Sequence, residues 1–245
     1  QLIAFLLCLR SLRRLPFVQL TKADWKTDPA ILLHLCRLGI PTGLQMSMIT
    51  LGGMVLQSVL NGFGVVFVAG YTAANKLYGI LESASVAFGY AMTAYMGQNR
   101  GARNAARIDA GIRAVLVLSA EFTAAIVTAM LLAGKPLLGL FLSTEEAGAA
   151  DALAVAYQYL MVLMAFLFAL FVLQAYRSSL QGLGEMTVPT LSGFAEMLMR
   201  MGAALVLPVF IGKSGVFFAE GAAWVCAAAL NLVWYYMRIG KIKRD

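Results

Sequence analysis

The chain has 245 residues, of which 61% are apolar and 13% charged, and its formal net charge is +7. Soluble globular chains carry about 45–50% apolar and about 25% charged residues, so a domain that covers its own surface with water-facing groups is excluded. The three cysteines, Cys8, Cys36 and Cys226, sit in or beside apolar runs at no metal-ligand spacing, and they read as small buried hydrophobes rather than as disulfides or zinc ligands.

In chain order, the sequence opens at Gln1 with an apolar stub, Leu2 to Leu9, that stops at Arg10. A secretory signal places its positive charges before the apolar run and a small-residue cleavage site after it. Here the order is reversed. The expectation is that 1–9 is the end of a truncated transmembrane helix, which makes the chain a fragment. A basic linker follows at 10–37, in which His34 is a lone imidazole with no assigned role.

A helix needs about 20 apolar residues to cross a hydrocarbon core of roughly 30 Å. Six runs of that kind occur, at about 38–60, 68–97, 111–133, 152–176, 188–211 and 216–237, before a basic tail at 238–245. The expected fold class is all-α, a polytopic membrane protein with a six-transmembrane-helix bundle. Breaks fall at Asn61 to Gly64, Gly97 to Ala110, Gly134 to Ala150, Arg177 to Thr187 and Gly212 to Gly215. The second run is long, which suggests tilt or an interfacial end. Pro189 opens the fifth run benignly, whereas Pro41 and Pro208 are candidates for bending.

Basic residues divide unevenly between the two sides. Arg10, Arg13, Arg14, Lys22, Lys26, Arg37, Arg100, Arg103, Arg107, Arg113, Arg177, Arg238, Lys241, Lys243 and Arg244 fall on one side, against Lys135 and Lys213 on the other. The positive-inside rule therefore puts both ends and the loops 10–37, 98–113 and 177–187 in the cytoplasm, for a multi-pass protein of the cytoplasmic membrane. Each cluster flanks a span, so anionic headgroups rather than nucleic acid are the expected partners.

Ionisable groups at mid-bilayer depth are functional candidates, because they are costly unless paired or wet. Glu82, Glu121, Glu196 and Arg200 lie near the centres of their spans. Tyr71, Asn75, Tyr78, Glu82, Ser85, Gly89 and Met92 follow at steps of three and four, which puts them on one helical face. That face reads as a cavity wall with Glu82 as proton carrier or cation counter-ion; the alternative is a carboxylate buried against a basic neighbour. Lys76 points about 240° away from Glu82, so the two are not an intrahelical pair.

Ser192, Glu196 and Arg200 share a face, and a Glu–Arg pair there neutralises itself and reads first as structural, with coupling as the alternative. Glu121 has no partner on its own helix, which leaves a lone protonated carboxyl or a pair with Lys76. The first span carries a softer stripe, Met46, Thr50, Gly53, Gln57 and Asn61, suited to lining a cavity or to close helix approach. The fourth carries Tyr157, Met161, Met164 and Phe168, a face for flat apolar ligands or for plain packing. No Walker-type loop, metal-ligand spacing or nucleophile–base–acid set occurs. Neither an enzyme nor an ATP-driven pump is expected, and no metal site or cofactor.

Three motifs carry a family resemblance. Leu38-Gly39-Ile40-Pro41 resembles the start of the seventh helix of the multidrug and toxic compound extrusion (MATE) transporters. Ala73-Ala74-Asn75-Lys76, with Gly97-Gln98-Asn99-Arg100-Gly101-Ala102 beyond it, resembles the eighth helix and the loop after it. Ser179 to Gly184, then Val188-Pro189, Glu196 and Arg200, resembles the tenth-to-eleventh helix junction.

The resemblance implies a twelve-helix protein of two lobes that exchanges Na⁺ or H⁺ inward for organic, often cationic, drugs outward. Residues 38–237 would be its six-helix C-terminal lobe, working against an N-terminal lobe of the same polypeptide. One departure stands out. Members with a second-lobe Na⁺ site usually carry an acid on helix seven, where Ile49 stands here, and acids on helix ten, where 152–176 has none. This counts against the usual site and leaves Glu82 as substitute, or a carboxylate in the other lobe.

The expected function is secondary antiport that exports amphipathic, cationic compounds. Tyr78, Met161, Met164 and Phe168 would supply apolar contact, with Asn75, Ser85 and Gln57 as hydrogen-bond partners. The alternative from the same superfamily is a flippase for lipid-linked saccharides, which would call for several Arg or Lys where this lobe offers Lys76 and Arg200. A membrane scaffold would need no mid-bilayer Glu on a polar face. Six helices alone lack the opposing cavity wall and are not expected to transport.

Overall fold

In lipid an apolar run satisfies its backbone as a helix, and the computed structural model, which describes residues 2–12, 14, 26–142 and 148–242, is built of them. In order these are α1 (Leu2–Leu12), α2 (Pro29–Asn61), α3 (Val65–Gly101), α4 (Ala105–Gly139), α5 (Ala149–Gly182), α6 (Thr187–Ile211) and α7 (Phe218–Ile242), with a 3₁₀ turn at Lys213–Phe217 leading into α7. Arg13, Lys22, Lys243 and Arg244, and most of the linker before Lys26, lie outside the described residues.

The chain divides between Ile40 and Pro41 into two units. The first holds α1, which has no buried residue, and the opening turns of α2. There the Asp28 carboxylate accepts from the Ala30 amide at 2.8 Å, capping a helix that begins with Pro29. The second unit holds everything after Ile40.

Among the described residues, five helices are long and apolar enough to cross a membrane: α2, α4, α5, α6 and the 3₁₀ turn with α7. The sixth expected span, α3, is a 37-residue helix outside that group. Its centre carries Asn75, Lys76 and Glu82, so it is the polar member of an apolar set. Pro41, Pro136 and Pro208 all lie inside helices.

Helices run further than the apolar runs predicted, chiefly at the arginine-rich end. The break expected at 97–110 shrinks to the connection between Gly101 and Ala105, and that at 177–187 to the connection between Gly182 and Thr187. Long basic side chains keep their charge in water while the backbone stays helical, so hydropathy marks the end too early. Arg177, expected in a loop, is corrected for a different reason: it lies inside α5 and is buried, its charge met by a carboxylate rather than by water. Lys213 on the α6–α7 connection donates to the Phe63 carbonyl beside the α2–α3 turn, while Arg100 lies against Gly184 on the opposite connections.

α5 is the axis of the second unit, burying residues along its whole length, from Ala152 to Leu180. The larger core cluster joins α3, α5, the 3₁₀ turn and α7: Tyr71 of α3 stacks on Tyr159 of α5 with centroids 4.5 Å apart, Phe67 on Phe217 of the turn at 5.3 Å, and Tyr78 on Trp224 of α7 at 5.5 Å. A second cluster, including Met92, Met96, Ile112, Tyr176 and Tyr235, closes the arginine-rich end. Cysteine placement corrects the reading of buried thiols: Cys8 and Cys36 are exposed and Cys226 half-buried, all of them free.

Two glycines set the approach of α3 to α5. A Cβ on Gly70 would collide with the Ala152 carbonyl oxygen, and one on Gly182 with the Thr93 carbonyl oxygen. Alanine at either position is expected to destabilise by about 1–3 kcal/mol, the usual penalty of overpacking. Gly79→Ala, in open space on the same helix as Gly70, should be neutral or mildly stabilising. Thermal unfolding of the detergent-solubilised protein, with the three variants in parallel, checks this.

Candidate functional site

Four helices of the second unit, joined by Met46 and Ile49 of α2, surround a cavity of about 510 Å³. α3 presents Asn75, Tyr78, Glu82, Val86, Tyr90 and Thr93, a helical face at steps of three and four. α5 presents Leu170, Leu173, Gln174, Arg177, Ser178 and Gln181; α6 presents Glu196 and Arg200; α7 presents Glu220 and Trp224.

The charged groups form one chain. Arg177 Nη2 donates to Glu196 Oε2, Glu196 Oε1 accepts from Arg200 Nη2 at 3.1 Å, and the same Arg200 nitrogen lies 2.8 Å from Glu220 Oε2. Arg200 Nη1 donates to the Ile49 carbonyl at 3.0 Å, which ties α2 into the group. Glu196, Arg177 and Arg200 are 3–5% exposed, so water does little to screen them. In such surroundings charge-assisted bonds hold only where each ion meets an opposite one, as every member here does.

Glu82 stands apart from that chain. It is half-buried on the cavity wall, hydrogen-bonded to the Tyr78 hydroxyl, and among the described residues it forms no ion pair. Three carboxylates therefore share the cavity with two guanidiniums, leaving one formal negative charge over. A wall of this kind attracts and holds a cation or a proton.

The α3 face expected from the sequence divides at Glu82. Asn75, Tyr78 and Glu82 face the cavity as read, but Ser85, Gly89 and Met92 turn into the packing. Ser85 is fully buried and donates back to the Glu82 carbonyl at 2.9 Å, and Gly89 lies against Ser178. The face drifts because 3.6 residues per turn makes a four-residue step carry the cavity line on to Val86 and Tyr90.

Other expected positions fall elsewhere. Gln57 is exposed and donates to Asn61 on its own helix at 3.0 Å, outside the cavity. Lys76 and Glu121 are both exposed, and no ion pair joins them among the described residues. The apolar wall expected from Met161, Met164 and Phe168 is also corrected. Met164 is buried in the core, Met161 packs against it, and Phe168 lies on a separate groove beside α4. Nine residues separate Met161 from Leu170, about half a turn in angle, so the methionine face and the cavity face of α5 are opposite. Apolar contact inside the cavity comes instead from Leu170, Leu173, Trp224 and Met46.

The Glu196–Arg200 pair was legible at i, i+4, whereas Arg177 and Glu220 were not. Glu220 sits early in the last apolar run, where an acid normally marks an end. The 3₁₀ turn before it rises about 2 Å per residue and tucks Gly215 against Leu207, carrying Glu220 inward to the level of Arg200. An acid four residues into an otherwise uncharged run was the available signal.

The MatE family model matches residues 41–206. The chain belongs to the MatE family. This MatE chain is similar to the Probable multidrug resistance protein YpnP of Bacillus subtilis (strain 168), 29% identical over 231 residues, covering 93% of this chain and 49% of that protein. It is also similar to YoeA of the same organism, 25% identical over 234 residues, covering 94% and 49%. The chain thus spans about half the length of these relatives. Its fold superposes on a crystal structure of MATE in complex with MaL6, at TM-score 0.85 and 22% identity over 95% of this chain and 52% of that one. An outward-facing multidrug resistance MATE family transporter matches at TM-score 0.83 and 21% identity, over 94% and 51%. Proteins of the family are transporters, not enzymes.

Glu196 is bonded on both sides, so Glu196→Gln is expected to leave Arg177 buried without a counter-ion and Arg200 with Glu220 alone, and to destabilise by about 3–5 kcal/mol. Glu82→Gln, outside the chain of ion pairs, should leave folding nearly unchanged. Thermal unfolding of the two variants side by side separates the structural carboxylate from the available one.

Proposed function

We propose that this MatE lobe belongs to a cation-coupled antiporter that exports amphipathic, cationic compounds, with Glu82 as the group that substrate and coupling ion contest. The single observation behind this reading is the surplus carboxylate: Arg177, Glu196, Arg200 and Glu220 satisfy one another, and Glu82 is left facing the cavity. A cationic compound stacked against Trp224 or Tyr78 would neutralise it, and so would a proton or a sodium ion. Competition for one charge links release of the first to uptake of the second, and rocking of the lobe against an opposing N-terminal lobe alternates access.

The resistance named for YpnP and YoeA supports a drug substrate. A flippase for pyrophosphate-linked saccharides fits less well, because both cavity arginines are already engaged by carboxylates. The orientation proposed is the one the basic residues favour, with the Arg100 and Arg238 ends in the cytoplasm of a cell-membrane protein.

Cells expressing the full-length polypeptide that carries this lobe are expected to accumulate less of a cationic dye than control cells. Glu82→Gln should return accumulation to the control level with surface expression unchanged. Retained efflux in the variant would move coupling to another carboxylate, and no efflux of any cationic dye by the wild type would overturn the drug reading.

A further inference from the structure

A second cavity, also of about 510 Å³, lies on the outside of the unit between α3 and α4. Its floor is made of small residues, Ala91, Ala110, Gly111 and Ala114, and its sides include Phe88 and Tyr95. The Tyr95 ring lies directly on Gly111, so the groove is held open by an aromatic side chain on a glycine, not by a gap in the packing. Everything exposed in it is apolar except the Tyr95 hydroxyl, and that group is engaged, donating to the Arg107 carbonyl at 2.9 Å.

The groove has a charged mouth. Arg107 lies three residues before Ala110, four before Gly111 and seven before Ala114, which puts it on the groove's own face of α4, one turn toward the arginine-rich end. Its guanidinium sits over the Tyr95 ring, 5.8 Å from the centroid, is exposed, and takes part in no ion pair among the described residues. Arg103, also exposed, lies in the connection just before α4. Asp109 is turned about 200° from Arg107 around α4 and so faces elsewhere.

We propose that this groove is a binding site for an anionic phospholipid, one acyl chain lying along the alanine floor and the headgroup phosphate received by Arg107. An apolar slot alone would accept any chain. The unpaired guanidinium at its mouth, on the arginine-rich end of the helices, selects a negative one. The volume is within the roughly 300–1,000 Å³ of ordinary ligand pockets, and the site is separate from the charged cavity, with which it shares no lining residue.

The test is native mass spectrometry of the purified full-length polypeptide, titrated with phosphatidylglycerol and with phosphatidylcholine of the same acyl chains. The wild type should retain phosphatidylglycerol preferentially. Arg107→Gln should weaken that retention roughly fivefold, the scale of one basic residue at an anionic surface, while Arg107→Lys keeps it. Ala114→Phe, an exposed position where a ring fills the slot without touching the core, should abolish retention of both lipids. Unchanged retention in both the Gln and Phe variants overturns the proposal. Equal retention of the two lipids by the wild type overturns the anionic assignment. An Ala114→Cys thiol that a lipid-soluble maleimide still cannot reach after the protein has been delipidated in detergent would show the groove covered by protein, a second lobe or a second copy, and would overturn it as well.

Discussion

The structure of the second unit depends on the guanidinium of Arg200, which bonds two carboxylates from two helices and a backbone carbonyl from a third. Desolvating an arginine beside a pair of glutamates is unfavourable unless each charge finds a counterpart, so the approach of α6, α7 and α2 is fixed by where those counterparts must stand. Arg177 extends the constraint to α5 by taking the remaining oxygen of Glu196. Apolar packing brings these helices together, but it is non-directional. The ionic chain supplies what packing does not, a single register for four helices.

That chain also defines what the cavity can do. Because four of the five charges are committed to each other, the chemistry of the space falls to Glu82 and to the hydroxyls and amides around it. The contrast between locked groups and an available one, in the lining of one cavity, separates the charges that hold the helices together from the one left over.

Much of this was legible in the sequence. Six apolar runs gave the helices and their order, because bilayer thickness acts on local stretches of chain. Glu82, Tyr78 and Asn75 were legible as one face because helical periodicity is local too. Arg177 was misread because its apolar run stops where it begins, although the helix goes on for another turn and a half. Glu220 was missed because its depth depends on a 3₁₀ turn, and Met161, Met164 and Phe168 were misplaced because α5 is covered on every side. A helix at the axis of a bundle has an apolar pattern all round, so its sequence does not say which side is open.

The 3₁₀ turn at Lys213–Phe217 has a consequence for chain length. Glu220 meets Arg200 because a fixed number of residues separates the end of α6 from the start of α7. One residue more or fewer in that turn would rotate Glu220 by about 100° around the helix axis, swinging the carboxylate away from its guanidinium while barely altering hydropathy. Insertions and deletions should therefore be absent from 212–217 in functional variants of this lobe, even though the segment is a surface connection between two helices.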